Sequence, residues 1–257
     1  MNTTTKPNRI ALITGASRGI GRSSALSLAA HGVDVIITYL SSQDEAATVV
    51  KQIEAMGRRA VALPLDVGTA STFAGFARDV KTALQNTWQR DRFDYLLNNA
   101  GTGVYATLAD TTEQEFDLMI NIHLKGAFFL TQKMLPLIED GGRILNISSG
   151  LTRFTFSGYA AYAAAKGGVE VLTRFMAKEL GSRNISVNVI APGATETDFG
   201  GGALRDNTDF NAQVAGMTTL GRNGHPDDIG GVVAALLSEG TAWINGQRIE
   251  ASGGLLL

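Results

Sequence analysis

Residues 9–21 read Arg9-Ile10-Ala11-Leu12-Ile13-Thr14-Gly15-Ala16-Ser17-Arg18-Gly19-Ile20-Gly21. Arg9 to Ile13 is a short apolar run with no polar alternation, which predicts a buried strand. Three glycines follow with the spacing Gly-x3-Gly-x-Gly, and Arg22 to Ala30 continues with helical spacing in Ala, Leu and Ser. Strand, glycine turn and helix in that order is the context a dinucleotide site requires. Glycines let the backbone approach a pyrophosphate, and a helix N-terminus supplies N–H groups and positive potential. Gly15, Ser17, Arg18, Gly19, Ile20 and Gly21 are therefore candidate cofactor-binding residues. Taken alone, the same turn could also be purely structural.

Working outward, strand-like runs alternate with helix-like ones along the chain. The strands are expected at Arg9 to Ile13, Val33 to Thr38, Ala60 to Leu63, Tyr95 to Asn98, Arg143 to Ile147, Ser186 to Ile190 and Gln247 to Glu250. The intervening helices are expected at Gly19 to His31, Asp44 to Met56, Ser71 to Gln85, Thr112 to Ile138, Tyr159 to Gly181 and Asp227 to Leu237. Such alternation predicts an α/β chain: one Rossmann-type domain over residues 1–257, with a doubly wound seven-stranded parallel sheet and helices on both faces. Ligands of such sheets bind beyond the carboxyl ends of the strands. Asn98, Ser149 and Pro192 all fall at that edge. The stretch Thr87 to Arg92 reads as a polar surface loop.

The second strand bears on cofactor choice. An NAD site usually places Asp or Glu near its end to accept from the ribose 2′-hydroxyl. None occurs from Val35 to Gln43. Arg18 adds a cation, and Thr38, Ser41 and Ser42 add hydroxyls. NADP(H) is expected over NAD(H), although Arg18 could be a solvated charge and the serines could simply cap the next helix.

A second motif lies further on. Tyr162 and Lys166 share one helix face, and Ser149 follows the apolar run Ile144 to Ile147. An ammonium beside the phenol would favour phenolate and lower its pKa from about 10. Ser149 could donate to the same substrate oxygen. Tyr159 and Ser148 compete for these roles, but Tyr159 has Ala163 at the lysine spacing, and strand alternation turns Ser148 away.

Composition narrows the classes. The chain has 257 residues, 44% of them hydrophobic, and a formal net charge of −2. This is enough for one substantial α/β core, and it gives no electrostatic reason to expect nucleic acid or an anionic membrane. No apolar run of about 18 residues exists to span a bilayer. Met1 to Asn8 is short and polar, unlike a signal peptide. The chain has no cysteine, and its three histidines, His31, His123 and His225, are scattered. No metal site and a cytoplasmic location are expected.

In order, Thr14-Gly15-x3-Gly19-x-Gly21, Asp66-Val67, Asn98-Asn99-Ala100-Gly101, Ser149, Tyr162-x3-Lys166 and Pro192-Gly193 with Thr197 resemble the short-chain dehydrogenase/reductase family over about Arg9 to Gly254. The resemblance implies that Asp66 bonds the adenine amine with Val67 against the ring. It implies that Asn98, Ala100 and Gly101 pass the adenosine ribose and support the sheet. Tyr162 and Lys166 would hold the nicotinamide ribose, and Pro192, Gly193, Thr195 and Thr197 would meet the carboxamide. One position departs from the family pattern. Where the family usually has a catalytic Asn, counting from Phe116 gives His123. Its main-chain carbonyl can keep the family role of orienting a water beside the lysine. Its imidazole could relay protons near neutral pH, or could be a structural residue only.

The implied activity is NADPH-dependent reduction of a hydrophobic ketone, with Tyr162 as general acid, Ser149 positioning the oxygen, Lys166 tuning the tyrosine and His123 completing the group. Residues 194–222 suit a lid over substrate. Val104, Leu151, Phe154, Tyr159 and Phe199 are candidate pocket residues, although aromatic residues there could equally be core. Arg153 is taken as a solvated loop charge. Apolar long helices and the terminal Leu255-Leu256-Leu257 point, with the family habit, to a homotetramer. The rival readings are a 3-oxoacyl-carrier-protein reductase, which a basic patch among Arg18, Arg22, Lys125 and Arg153 would favour, and a non-catalytic NADP-binding regulator.

Overall fold

The computed structural model describes residues 8–257. Residues 1–7, most of the stretch weighed above as a signal peptide, lie outside the described residues. The strands are β1 (Ile10–Ile13), β2 (Asp34–Tyr39), β3 (Ala60–Pro64), β4 (Phe93–Asn98), β5 (Ile138–Ile147), β6 (Ser186–Pro192) and β7 (Arg248–Ala251). They pair in parallel in the order β3-β2-β1-β4-β5-β6-β7. The order reverses between β1 and β4, which opens a crevice at the carboxyl edge there.

The helices are α1 (Gly19–Ala30), α2 (Gln43–Ala55), α3 (Phe73–Trp88), α4 (Glu113–Met119), α5 (Gly126–Met134), α6 (Ala160–Leu180), α7 (Ala203–Asp206), α8 (Thr208–Gly216) and α9 (Pro226–Leu236). Strand residues alternate between two cores. Ala11, Ile13, Val35 and Ile37 pack with α1, α2 and α9 on one face. Ile10, Leu12 and Ile36 pack with α3, α5 and α6 on the other. Both faces are covered, so the strands read as continuous apolar runs.

The amino edge of the sheet is held by two buried carboxylates. Asp34 accepts from Trp88 Nε1 at 2.9 Å and from the Arg59 amide at 3.0 Å. Asp94 accepts from the Ile10 amide at 2.9 Å and pairs with Arg9 at 2.7 Å and Arg90 at 3.0 Å. Thr87 to Arg92 is therefore no passive surface loop. It starts inside α3, and Trp88 and Arg90 turn back to these carboxylates.

The largest departure from the sequence expectation is the helix from Thr112 to Ile138. A capping box of Thr112 and Glu115 starts α4 as a helix start should. The chain then takes a π-helical turn over Ile120–Lys125 before α5 resumes. A 3₁₀ turn at Leu135–Leu137, containing Pro136, ends the helix, and Ile138 already belongs to β5. A π turn adds a residue without breaking the apolar pattern, so spacing alone does not reveal it. Residues 194–222, expected as a lid, contain α7 and α8, the latter capped by Asn207, which accepts from the Phe210 amide at 2.9 Å.

Candidate active site

The glycine turn between β1 and α1 is shaped by backbone demands. Gly15 and Gly19 hold φ of 63° and 55°, in the left-handed region. A Cβ on Gly21 would lie 2.3 Å from the Gly15 carbonyl oxygen, so only glycine fits. The first turn of α1 has no acidic residue, and the side chain of its N-cap, Arg18, makes no cap bond. Its N–H groups therefore remain available to an anion. Thr14 Oγ1 accepts from the Asn99 and Ala100 amides, both at 2.9 Å, which ties the turn to the loop after β4.

Thr38 lies near the carboxyl end of β2. Its side chain is buried, and its hydroxyl accepts from the Gly15 amide at 3.1 Å. It braces the turn and keeps its own O–H as a donor. Ser41 is exposed, and Ser42 makes no side-chain cap bond. Arg18 is exposed too, but it is not a free charge, because its Nε lies 3.4 Å from Asp198. Asp66 follows β3, where its carboxylate accepts from the Gly68 amide at 2.8 Å and from Thr69 Oγ1 at 2.7 Å, with Val67 beside it. Asn98 turns inward, donating to Asn146 Oδ1 at 2.8 Å and Thr131 Oγ1 at 3.0 Å, and so ties β4 to β5 and α5. A Cβ on Gly101 would lie 2.7 Å from His123 Cε1, so the loop passes closely over that ring. On the far side, Gly193 donates to the Ala251 carbonyl at 3.0 Å, and Thr195 pairs with Gly224. The Thr197 methyl sits 3.6 Å from where a Gly19 Cβ would be. The segment after β6, starting at Pro192, thus lies against the mouth of the glycine turn.

Ser149, Tyr162 and Lys166 come together between the end of β5 and α6. Tyr162 and Lys166 are both buried. Lys166 Nζ donates to the Ile147 carbonyl at 2.8 Å and lies 5.6 Å from the Tyr162 ring centroid. The anticipated lowering of the tyrosine pKa is not met in the free protein. Burial pushes the phenol up, a hydrogen bond with Ser149 opposes this, and Tyr159 adds to the rise. Burial also pushes Lys166 down to about 7.

His123 sits in the π turn, 3% exposed, with its ring perpendicular to Tyr162 at 5.0 Å between centroids. Nε2 lies 2.7 Å from the Thr102 carbonyl oxygen, so it carries the proton and donates. Nδ1 is left as a buried acceptor with no partner among the described residues. Burial first, and the charge of Lys166 second, hold the imidazole down to about 2 against the favourable bond to Thr102. These effects favour the neutral ring, with its proton on Nε2. His123, Asn98, Asn146 and Lys166 all border one small cleft of about 10 Å³.

Aromatic side chains gather at the mouth. Tyr105 meets Tyr159 edge-on at 5.5 Å, Phe154 meets Phe156 at 5.5 Å, and Phe199 meets Tyr162 at 5.2 Å. Ala106 donates to the Gly158 carbonyl at 3.0 Å, which joins the loops after β4 and β5. Val104 and Leu151 are partly exposed in those two loops. Arg153 is exposed, as expected of a loop charge, but it is paired. It grips Glu250 at 2.7 Å and the carbonyls of Leu255 and Leu256 at 2.7 and 2.8 Å, anchoring the C-terminal residues.

Three residues escaped the sequence reading. Glu170 accepts from Ser148 Oγ at 2.7 Å, Thr152 Oγ1 at 2.6 Å and Arg248 Nε at 2.8 Å, and so locks the loop that carries Ser149. Asn99 Nδ2 donates to the Thr14 and Gly15 carbonyls at 2.9 and 3.0 Å. Asp198 pairs with both Arg18 and Arg205. Glu170 stands one helical turn beyond Lys166 on the same face, and this spacing was the available signal. Asn99 stood inside a quoted motif. Nothing local marks Asp198.

Comparison with known proteins agrees with this geometry. A family model described as enoyl-(acyl carrier protein) reductase matches residues 15–256. The 3-oxoacyl-[acyl-carrier-protein] reductase FabG of Staphylococcus epidermidis is 38% identical over 252 residues, covering 97% of this chain and all of that protein. The solved structure of LugOII, a promiscuous reductase catalysing keto-reduction at C1 during lugdunomycin biosynthesis, superposes with a TM-score of 0.92 at 38% identity, covering 98% of this chain and 99% of that one. The angucycline C-6 ketoreductase LanV with bound NADP superposes with a TM-score of 0.92 at 37% identity, covering 96% and 95% of the two chains. LanV has also been solved with NADP and rabelomycin together (TM-score 0.88, 36% identity, 97% of each chain).

Proposed function

The chain belongs to the short-chain dehydrogenase/reductase family, and from that premise we propose that it is an NADPH-dependent reductase of hydrophobic ketones. The observation that carries this reading is the meeting of Ser149, Tyr162 and Lys166 at the carboxyl edge of the sheet, beside the glycine turn. The turn fits the cofactor: Gly15 and Gly19 adopt left-handed backbone, Gly21 leaves no room for a Cβ, and the first turn of α1 is free of acidic residues. No carboxylate stands at the carboxyl end of β2. Asp34, at its amino end, is buried against Trp88. NADP(H) as bound cofactor is also what the LanV structures contain.

When bound, the cofactor supplies or takes the hydride. Tyr162 then delivers its phenolic proton to the carbonyl oxygen as general acid, and takes it back in the reverse direction. Its raised pKa keeps the proton on the phenol until that moment. Ser149 donates to the same oxygen and positions it. Lys166, fixed by the Ile147 carbonyl, holds the nicotinamide ribose together with Tyr162. His123 is a positioning residue, neutral and edge-on to the phenol. Asp66, Val67, Asn98, Ala100 and Gly101 take the adenosine side, and Pro192, Gly193, Thr195 and Thr197 the carboxamide side. Val104, Leu151, Phe154, Tyr159 and Phe199 are the residues that would meet a hydrophobic ketone at the mouth.

The second reading, reduction of a 3-oxoacyl group on a carrier protein, draws support from FabG. The cations that would meet an acidic carrier protein are mostly engaged. Arg18 pairs with Asp198, Arg22 donates to Gln52 at 3.1 Å, and Arg153 pairs with Glu250. A purely regulatory role finds no support in a chain that keeps all three catalytic groups. The reading extends to one domain with a lid over residues 194–222, a cytoplasmic location in keeping with the absence of cysteine, and a homotetramer. No helix among the described residues is long and apolar enough to cross a membrane.

Initial rates of NADPH and NADH oxidation with aryl ketones, alkyl ketones and a 3-oxoacyl thioester test this. NADPH-selective turnover of ketones, reduced about 10²- to 10⁴-fold in Tyr162→Phe, is the expected result. Turnover confined to the thioester would establish the second reading. Ketone turnover that survives Tyr162→Phe would sink the mechanism.

A further inference from the structure

Asp198 and Phe199 are adjacent, and each contacts a group that the reaction needs. The Asp198 carboxylate lies 3.4 Å from Arg18 Nε in the glycine turn. The Phe199 ring lies 5.2 Å from the ring of Tyr162, centroid to centroid, and it packs where Gly103 has no side chain. A Cβ on Gly103 would stand 2.5 Å from Phe199 Cζ. Tyr162 keeps only 7% of its surface exposed beneath this cover.

The surrounding chain confines any movement to this short stretch. Before it, Thr195 is bridged to Gly224, and Glu196 accepts from Asn211 at 2.7 Å. After it, Asn211 also holds the Leu204 carbonyl at 2.9 Å. Between these anchors lie Gly200, Gly201 and Gly202, with φ of 61°, 75° and 79°. Three consecutive left-handed residues need glycine, and they leave the backbone free to rotate there. Asp198 has a second cation in Arg205, which lies beyond this turn and also pairs with Asp206 at 2.7 Å. The carboxylate therefore has a partner to stay with when it leaves Arg18.

From this arrangement we infer that Asp198 is a cofactor-specificity residue acting through Arg18: it occupies the guanidinium that a 2′-phosphate recruits, and its release from Arg18 lifts Phe199 off Tyr162 and opens the site to the ketone. The inference rests on the NADPH reading above. NADPH carries the 2′-phosphate that displaces Asp198. NADH has no such group and leaves the Asp198–Arg18 contact in place. Discrimination between the two cofactors therefore appears in the ketone step as well as in cofactor affinity.

The test is Asp198→Asn in the full chain, with cofactor affinities from calorimetry and ketone KM at saturating cofactor. An exposed ion pair of this kind corresponds to about a 2- to 5-fold effect. NADPH is expected to bind Asp198→Asn about 2- to 5-fold more tightly, while NADH affinity stays unchanged. Ketone KM is expected to fall by a similar factor with NADH and to hold its wild-type value with NADPH, because the phosphate has already freed the segment. Arg18→Gln, which also releases Asp198, should reproduce the fall in ketone KM with NADH while weakening NADPH. If the wild-type protein prefers NADPH but Asp198→Asn alters neither NADPH affinity nor the NADH-linked KM, the inference is overturned and the cofactor reading stands. If the wild-type protein shows no preference for NADPH, the cofactor reading itself has failed, and this inference with it.

Discussion

At the scale of single residues, burial sets the protonation of the site before any ligand arrives. His123 stays neutral when folded, held down to about 2, whereas an unfolded histidine titrates near 6.5. Below about pH 6.5 the unfolded chain binds a proton here that the folded chain refuses. The contribution of His123 to stability is therefore full above that pH and is lost as pH falls from about 6.5 towards 2, at about 1.4 kcal/mol per pH unit. Between pH 7 and pH 5, urea unfolding of the wild-type protein should lose about 2 kcal/mol more than His123→Asn does. Parallel losses in the two proteins would mean that the folded imidazole is charged. Lys166, lowered to about 7, works in the same direction but in a higher window, between its unfolded value near 10.5 and 7. Sequence exposed the identity of these residues but not their state. Tyr162 and Lys166 were legible because their spacing fixes a shared helix face. The rise of the Tyr162 pKa was not, because it depends on what covers the ring. The Gly15 amide that donates to the Thr38 hydroxyl was not legible either, for the same reason.

At the scale of elements, the loop after β5 owes its shape to α6. Glu170 on α6 receives Ser148, Thr152 and Arg248 together, on either side of Ser149. Glu170→Ala removes an acceptor from two hydroxyls and leaves Arg248 with Glu250 alone, so stability should fall by about 1–2 kcal/mol. A loosened Ser149 should also lower kcat more than it raises KM, since positioning of the reacting oxygen matters most in the transition state. Denaturant unfolding combined with steady-state kinetics on ketone reads both, and a stability loss with unchanged kcat would confine Glu170 to a structural role. Most elements were legible from periodicity, including β1, α1 and the whole of α6. The π turn at Ile120–Lys125 was not, because apolar residues recur across it much as they would along a regular helix. Residues 203–216 were not legible either, since α7 and α8 are short and follow three glycines.

At the scale of the molecule, α5 and α6 leave apolar residues facing outward: Phe128, Phe129 and Val171 are exposed, and Phe175 is 62% exposed. A cluster of this kind marks an interaction surface. In the homotetramer proposed above, Phe175→Glu should shift the mass measured by light scattering to a smaller species. An unchanged mass would place the contact elsewhere. The parallel sheet was legible because strands and helices alternate, whereas its strand order came only from the structure. The same sheet has a kinetic consequence. Gly15, Asp66, Asn98, Ser149 and Pro192 reach one edge from across most of the chain, through pairings of high contact order. Folding is slow for such topologies, because each crossover loop must close before its contacts can form. Ser149 and Tyr162 flank a loop that Arg248 of the last strand helps to fix. A nascent chain still lacking β7 would thus hold its nucleotide-binding half in register while remaining catalytically silent, and activity would appear late and in one step during refolding.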